Sequence, residues 1–150
     1  MAKITKDDNK LDNQLCFSLY SASLAMSKMY KHLLSELGIT YPQYLMMLVL
    51  WEEDGITATE LSLRLMQDKG ALTPVIKRLE NLKLIHRSRD PKDERRIIIS
   101  LSNAGKSMQR EAASIPQRVL QACGLNHQSA IDLKARIETL RLNLNSFGNI

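Results

Sequence analysis

The sequence predicts a mainly α-helical fold with one small β hairpin past its middle. Three observations carry this. Apolar residues recur at steps of three or four along most of the 150 residues. Helix start and stop signals fall between these runs, at Asp12, Gly38, Pro42, Gly55 and Ser102. The period changes once, over 85–101, to two extended runs separated by a charged turn.

Residues 1–10 are polar and are expected to fray. A helix is expected from Leu11, with Asp12 as N-cap, Leu15, Leu19, Ala22, Met26, Met29, Leu33 and Leu37 as one apolar stripe, and Gly38 as its C-terminal glycine. Pro42 suits the first turn of the next helix. The run QYLMMLVLWEE is apolar nearly all round, as a buried helix is. Thr57-Ala58-Thr59-Glu60 has the form of a capping box and opens a short helix carrying Leu61 and Leu65. A turn is expected over 67–70. The helix after it starts at Ala71 and places Leu72, Val75, Ile76, Leu79 and Leu82 on one face; Pro74 requires it to have just begun. Strands are expected over 85–89 and 96–101, joined by a charged turn over 90–94. Ser102 then caps a long helix to about Cys123, kinked at Pro116. The last helix starts at Asn126 or Ser129 and carries Ile131, Ile137, Leu140, Leu144 and Phe147 as its stripe. There is no internal repeat.

The formal net charge is +5 and the pI about 9.3, a mild bias towards a polyanionic partner. Its placement says more. Residues 77–96 hold eight lysines and arginines against four acids, a local excess of four positive charges. Phosphate neutralisation needs such a concentration, although a solvated charged face looks the same. No apolar run approaches the roughly 18 residues of a membrane helix. The N-terminal MAKITKDDNK lacks the apolar core of a signal peptide. A cytoplasmic, reduced protein with no membrane partner is therefore expected. Cys16 and Cys123 form no CxxC motif, and a structural disulfide is not expected in that compartment. His32, His86 and His127 are scattered, and Cys123 with His127 falls short of the three or four ligands of a metal site. No metal and no cofactor is expected.

Helix, turn, helix and a charged hairpin, in that order, make the plan of a winged helix-turn-helix. Its second helix enters the major groove and reads base edges with its N-terminal residues. Here those are Lys69, Ala71, Thr73 and Pro74, with Lys77 and Arg78 on the next turn, while the hairpin tip lies on the backbone or in the minor groove. The stretch GALTPVIKRLENLKLIHRSRDPKDERRIIISLSNAG resembles the core of the MarR family of transcriptional regulators, through Lys77-Arg78-Leu79-Glu80, the wing Asp93-Glu94-Arg95-Arg96 and SLSNAG. LDNQLCFSLYSASLAMSKMYKHLLSELGITYPQYLMMLVLWE is similar to the organic hydroperoxide resistance branch of that family. The resemblance runs from about Leu11 to Gln109. It implies a homodimer on double-stranded operator DNA, built from a winged helix-turn-helix lobe over 40–102 and an α-helical dimerisation region over 11–38 and 103–150. It also implies repression relieved by organic hydroperoxides. Arg95, placed with Asp93 at the hairpin tip, is read as the wing's DNA contact, suited to a minor groove. Before the recognition helix the branch commonly reads Asp-Ser-Gly-Thr-Leu-Thr-Pro; here Lys69 and Ala71 replace two hydroxyls with a cation and a methyl.

Cys16 falls near a helix N-terminus, where the macrodipole places about half a positive charge. The thiolate is the form that attacks a peroxide. Free cysteine is otherwise more often an inert, buried small hydrophobe. The resemblance implies that two tyrosine hydroxyls reach the sensing cysteine across the dimer, and the matching positions are Tyr30 and Tyr41. Phe17, Met26 and Trp51 read most simply as core. Some members of the branch resolve the oxidised sensor with a second, C-terminal cysteine, a role that would fall to Cys123. The rival readings are a regulator binding a small phenolic ligand, a structural DNA-binding protein, and a thiol peroxidase. Against the last, no strand–helix alternation or CxxC is present, so no enzymatic activity is expected.

Overall fold

The computed structural model describes residue 3 and residues 5–148. Seven α-helices and three strands are found among them, in the order α1 (Leu15–Leu34), α2 (Tyr41–Glu52), β1 (Ile56–Thr57), α3 (Ala58–Leu65), α4 (Lys69–Asn81), β2 (Ile85–Asp90), β3 (Asp93–Leu101), α5 (Asn103–Glu111), α6 (Ile115–Cys123) and α7 (His127–Phe147). This is the mainly helical, winged helix-turn-helix architecture that the sequence predicts. The chain divides into two compact units, Met1–Ala112 and Ala113–Ile150.

In the first unit α2 is the central element. Thr40 and Gln43 close a capping box at its start, with the Thr40 N–H donating to Gln43 Oε1 at 2.9 Å. Tyr44, Met46, Met47, Val49 and Leu50 are buried along it, as an all-apolar helix requires. Thr57 accepts from the Glu60 N–H at 3.1 Å and starts α3 with the expected box. Leu61, Leu72, Ile76 and Leu79 of α3 and α4 complete this core with Ile85 and Ile99 of the hairpin. The sheet is antiparallel in the order β1-β3-β2, with Ile56 opposite Ile99 and Arg87 also opposite Ile99. Strand β1 is absent from the sequence expectation, because two residues show no period.

Ser102 explains the motif that follows the wing. Its hydroxyl caps α5, accepting from the Gly105 N–H at 3.0 Å, and donates to the Lys83 carbonyl at 2.6 Å. Gly105 lies so close to β2 that a Cβ there would stand 2.1 Å from the Leu84 carbonyl oxygen.

Five boundaries differ from expectation. A 3₁₀ turn at Leu11–Asn13 precedes α1, so Gln14 and not Asp12 is its N-cap. Helix α1 stops at Leu34 and a second 3₁₀ turn leads to Gly38, which takes the left-handed φ of +68°. Helix α4 starts at Lys69, so Lys69 and Gly70 belong to its first turn rather than to a loop, and Pro74 lies inside it. The Thr73 hydroxyl donates to the Lys69 carbonyl at 3.0 Å beside the N–H that Pro74 lacks. The hairpin turn holds only Pro91 and Lys92, so Arg95 sits within β3 and not at the tip. The long helix expected after Ser102 is broken by a 3₁₀ turn at Ala112–Ser114, and Pro116 falls in the first turn of α6 rather than at a kink. Of the stretch expected to fray, residues 1, 2 and 4 lie outside the described residues, and Lys6–Asn9 forms a 3₁₀ turn.

The α1 stripe is largely uncovered. Leu33 is buried, but Leu15 is 63% exposed and Met26, read as core, 37%. In the second unit α7 buries no residue, and Ile131, Ile137, Leu144 and Phe147 stand in solvent.

Candidate nucleic-acid interface and thiol centre

The exposed side of the helix-turn-helix gathers the residues selected for DNA. Lys69, Thr73, Pro74, Lys77 and Arg78 are all exposed on α4. A cleft of about 340 Å³ separates its first turn from the wing and is lined by Thr59, Lys69, Thr73, Arg95 and Arg96. Three cations thus converge on one hollow. Arg95 is presented by a local turn: the Asp93 carboxylate accepts the Arg95 backbone N–H at 3.1 Å, while Asp90 accepts that of Lys92 at 2.9 Å. Asp93 therefore shapes the start of β3. Not every cation of the cluster is unpaired. Arg87 is forked onto Glu80, with Nε and Nη2 at 2.7 and 2.9 Å from its two oxygens. That ion pair holds the Glu80 carboxyl below its ordinary value and raises the Arg87 guanidinium.

The second constellation lies on α1 and α2. Cys16 is exposed at the second position of α1, nearer the helix N-terminus than the sequence suggests. The Gln14 carbonyl accepts from the Ser18 N–H, so the backbone N–H of Cys16 lies in the first turn, where helix donors lack intrahelical partners. Cys123 is also exposed, but at the last position of α6, the negative end of its helix. Tyr30 and Tyr41 come together: their rings stack at 4.3 Å with 24° between planes. Tyr44 joins them 5.7 Å from Tyr30, and Trp51 meets Tyr44 edge-on at 6.4 Å. Burial raises the Tyr41 phenol above its ordinary value, and burial followed by the neighbouring Tyr41 raises Tyr44. Both are therefore neutral hydroxyls at physiological pH. An apolar-walled cleft of about 480 Å³ opens beside Tyr41, bounded by Ser27, Lys31, Ile39 and Thr40. Cys16 of the same chain does not share it, because Tyr30 lies fourteen residues along the same helix, about 21 Å at 1.5 Å per residue.

A family model described as transcriptional regulator SarA/Rot matches residues 28–112. The organic hydroperoxide resistance transcriptional regulator of Bacillus subtilis strain 168 is 48% identical over 128 residues, 85% of this chain and 85% of that protein. The chain belongs to the MarR family of transcriptional regulators, on its organic hydroperoxide resistance branch. Solved structures agree. Reduced AbfR bound to DNA, a protein of Staphylococcus epidermidis, is similar with a TM-score of 0.81 and 32% identity, over 96% of this chain and 99% of that one. The disulfide-formed state of AbfR gives a TM-score of 0.63 at 32% identity, over 97% of each chain.

For this MarR-family chain the sequence selected neither Tyr44 nor Thr59 and Arg96. Tyr44 follows Tyr41 by one helical turn, a spacing that could have found it. Thr59 and Arg96 reach the cleft only because the hairpin folds back over α3. No cluster of three metal-ligating side chains is present among the described residues. Nor is any single helix there long and apolar enough to cross a membrane.

Proposed function

We propose that this regulator is a homodimeric repressor that binds operator DNA and leaves it when an organic hydroperoxide oxidises Cys16. The observation that carries the reading is the separation within one chain: an exposed thiol at one end of α1, and a stacked, partly buried tyrosine pair beside an open cleft at the other. Two antiparallel copies of α1 would bring the Cys16 of one subunit to Tyr30 and Tyr41 of its partner. The uncovered apolar faces of α1 and α7 favour such pairing, since monomers rarely expose large contiguous apolar patches. In this assignment residues 11–38 and 103–150 make the dimerisation region and residues 40–102 the DNA-binding lobe. Helix α4 enters the major groove with Lys69, Thr73 and Pro74 leading, Lys77 and Arg78 neutralise phosphates, and Arg95, held by Asp93, enters the flanking minor groove. The site of action is the cytoplasm, where the operator is.

The chemistry is stoichiometric rather than catalytic. The Cys16 thiolate attacks the terminal oxygen of the hydroperoxide, the O–O bond breaks, and the alkoxide leaves as alcohol after taking a proton. Cys16 is left as a sulfenic acid. The Cys123 thiol of the other subunit then attacks that sulfur, forming the disulfide and releasing water. The test is a gel shift on the promoter beside the protein's own gene, with and without cumene hydroperoxide. Wild type should release the DNA and Cys16→Ser should hold it. Release of Cys16→Ser by the hydroperoxide would refute the sensor, and a response to phenolic ligands alone would favour the rival regulator.

A further inference from the structure

The wing leaves the body of the first unit at one position. On the inner face of the hairpin Ile85 and Ile99 are buried, but the next residues outward, Arg89 and Ile97, are exposed. Arg87 stands between these two levels, opposite Ile99 and on the same face as Ile85. Its guanidinium reaches past the strand to Glu80 in the last turn of α4 and binds both carboxylate oxygens. Beyond the pair a hollow of about 270 Å³, lined by Glu80, Ser88, Arg89 and Ile97, separates the outer wing from the helix. The apolar packing that ties helix to hairpin thus ends at Ile85 and Ile99, and a bidentate ion pair takes its place at the root of the projecting limb.

We propose that the Glu80–Arg87 pair is a positioning device. It fixes how far the wing stands from the recognition helix, so that α4 and Arg95 engage the major groove and the flanking minor groove of one duplex together. Arg87 then serves DNA binding without touching a phosphate, although it lies in the basic cluster. A planar fork matches two carboxylate oxygens in one orientation, which a lysine ammonium cannot do. The pair also neutralises Glu80, an acid that would otherwise repel the duplex from beside Lys77 and Arg78.

This inference rests on the DNA-binding reading, and the test separates the two. The probe is the duplex that wild-type protein enriches from a random-sequence pool, footprinted with hydroxyl radicals. All variants are first checked for native circular dichroism. Glu80→Gln and Arg87→Lys should each lose protection of the flanking minor grooves, keep the central protection, and bind about fivefold more weakly, the factor that corresponds to roughly 1 kcal/mol. The charge-conserving swap, Glu80→Arg with Arg87→Glu, should restore both flanking protection and affinity. An Arg87 that contacts phosphate directly gives the opposite pattern: Arg87→Lys retains the footprint and the swap does not rescue it. Either that pattern or unchanged footprints in all variants overturns the proposal. If the swap does not fold, the double variant Glu80→Gln with Arg87→Lys decides. It should bind no worse than the weaker single variant, and additive losses overturn the pair. Wild-type protein that enriches no duplex sinks the DNA-binding reading and the positioning role with it.

Discussion

Gly105→Ala should unseat the base of the wing. The added Cβ would lie 2.1 Å from the Leu84 carbonyl oxygen and 3.2 Å from Leu101 Cδ2. Even weak carbon–oxygen contacts sit at about 3.3 Å or more, so α5 and the start of β2 must part by more than about 1 Å. Neither side gives freely. The Leu84 carbonyl accepts the Ser102 N–H at 3.0 Å. Gly105 itself donates to Ser102 Oγ at 3.0 Å and accepts from Trp51 Nε1 at 2.9 Å. Overpacking costs about 1–3 kcal/mol, and a strained or broken hydrogen bond adds about 1 kcal/mol. The expected loss is about 2–4 kcal/mol, or a melting temperature lower by roughly 5–15 °C for a chain of this size. Urea unfolding at fixed protein concentration measures it, since any dimer makes stability concentration-dependent. Gly70→Ala is the internal control: it is also helical, a Cβ added there meets nothing within 4 Å, and the change should be neutral or gain up to about 1 kcal/mol. A Gly105→Ala protein within about 0.5 kcal/mol of wild type, the usual scatter of harmless surface changes, would refute the close-contact argument.

Other outcomes follow from the same geometry. Thr57→Ala removes the α3 cap and should cost about 1 kcal/mol, read from the urea midpoint. The Glu60 and Glu80 carboxyls are held below their ordinary value of 4.5, Glu60 chiefly by the Thr57 backbone N–H and Glu80 chiefly by Arg87. Their stabilisation is therefore complete above about 4.5 and is lost as pH falls through the lowered values, so Glu80→Gln should flatten the acid limb of a stability–pH profile while leaving its neutral and alkaline limbs parallel to wild type. Arg95→Ala should weaken operator binding by about 1–3 kcal/mol in a titration at fixed salt, whereas Lys77→Ala should mainly reduce the slope of log affinity against log salt. Cys123→Ser should give no covalent dimer on non-reducing gels yet still consume one hydroperoxide per subunit; a covalent dimer in that variant would remove Cys123 from the scheme.

The helix-turn-helix and the wing were legible because each carries a local signature: the Thr57–Glu60 box, the uniform apolarity of α2, and the β-branched run Ile97-Ile98-Ile99. Three of the five boundaries that moved are set by 3₁₀ turns at Leu11–Asn13, Ser35–Leu37 and Ala112–Ser114, where the chain shifts to i→i+3 bonding without a distinctive residue. Pro74 misled because a proline reads as close to a helix start, while α4 begins at Lys69, two residues before the expected Ala71. The stacked tyrosines were reached through family resemblance, since nothing in the spacing of residues 30 and 41 makes two rings meet across a turn. Arg87 counted as one more cation in a basic run, because its partner is seven residues away on another element and only the fold joins them.

Trp51 is the chain's one tryptophan, and its surroundings turn it into an optical probe. Its indole N–H is tied to α5 through the Gly105 carbonyl, and its ring edge meets Tyr44, which adjoins the Tyr30–Tyr41 stack. Light absorbed by these tyrosines is handed over to the indole at such separations, so the balance of tyrosine to tryptophan emission follows the spacing of the rings. The colour of the indole emission follows the polarity around its N–H. A single unlabelled sample in a stopped-flow fluorimeter therefore carries two clocks, one beside the cleft at Tyr41 and one where α2 meets α5. The order in which they run tells which end moves first.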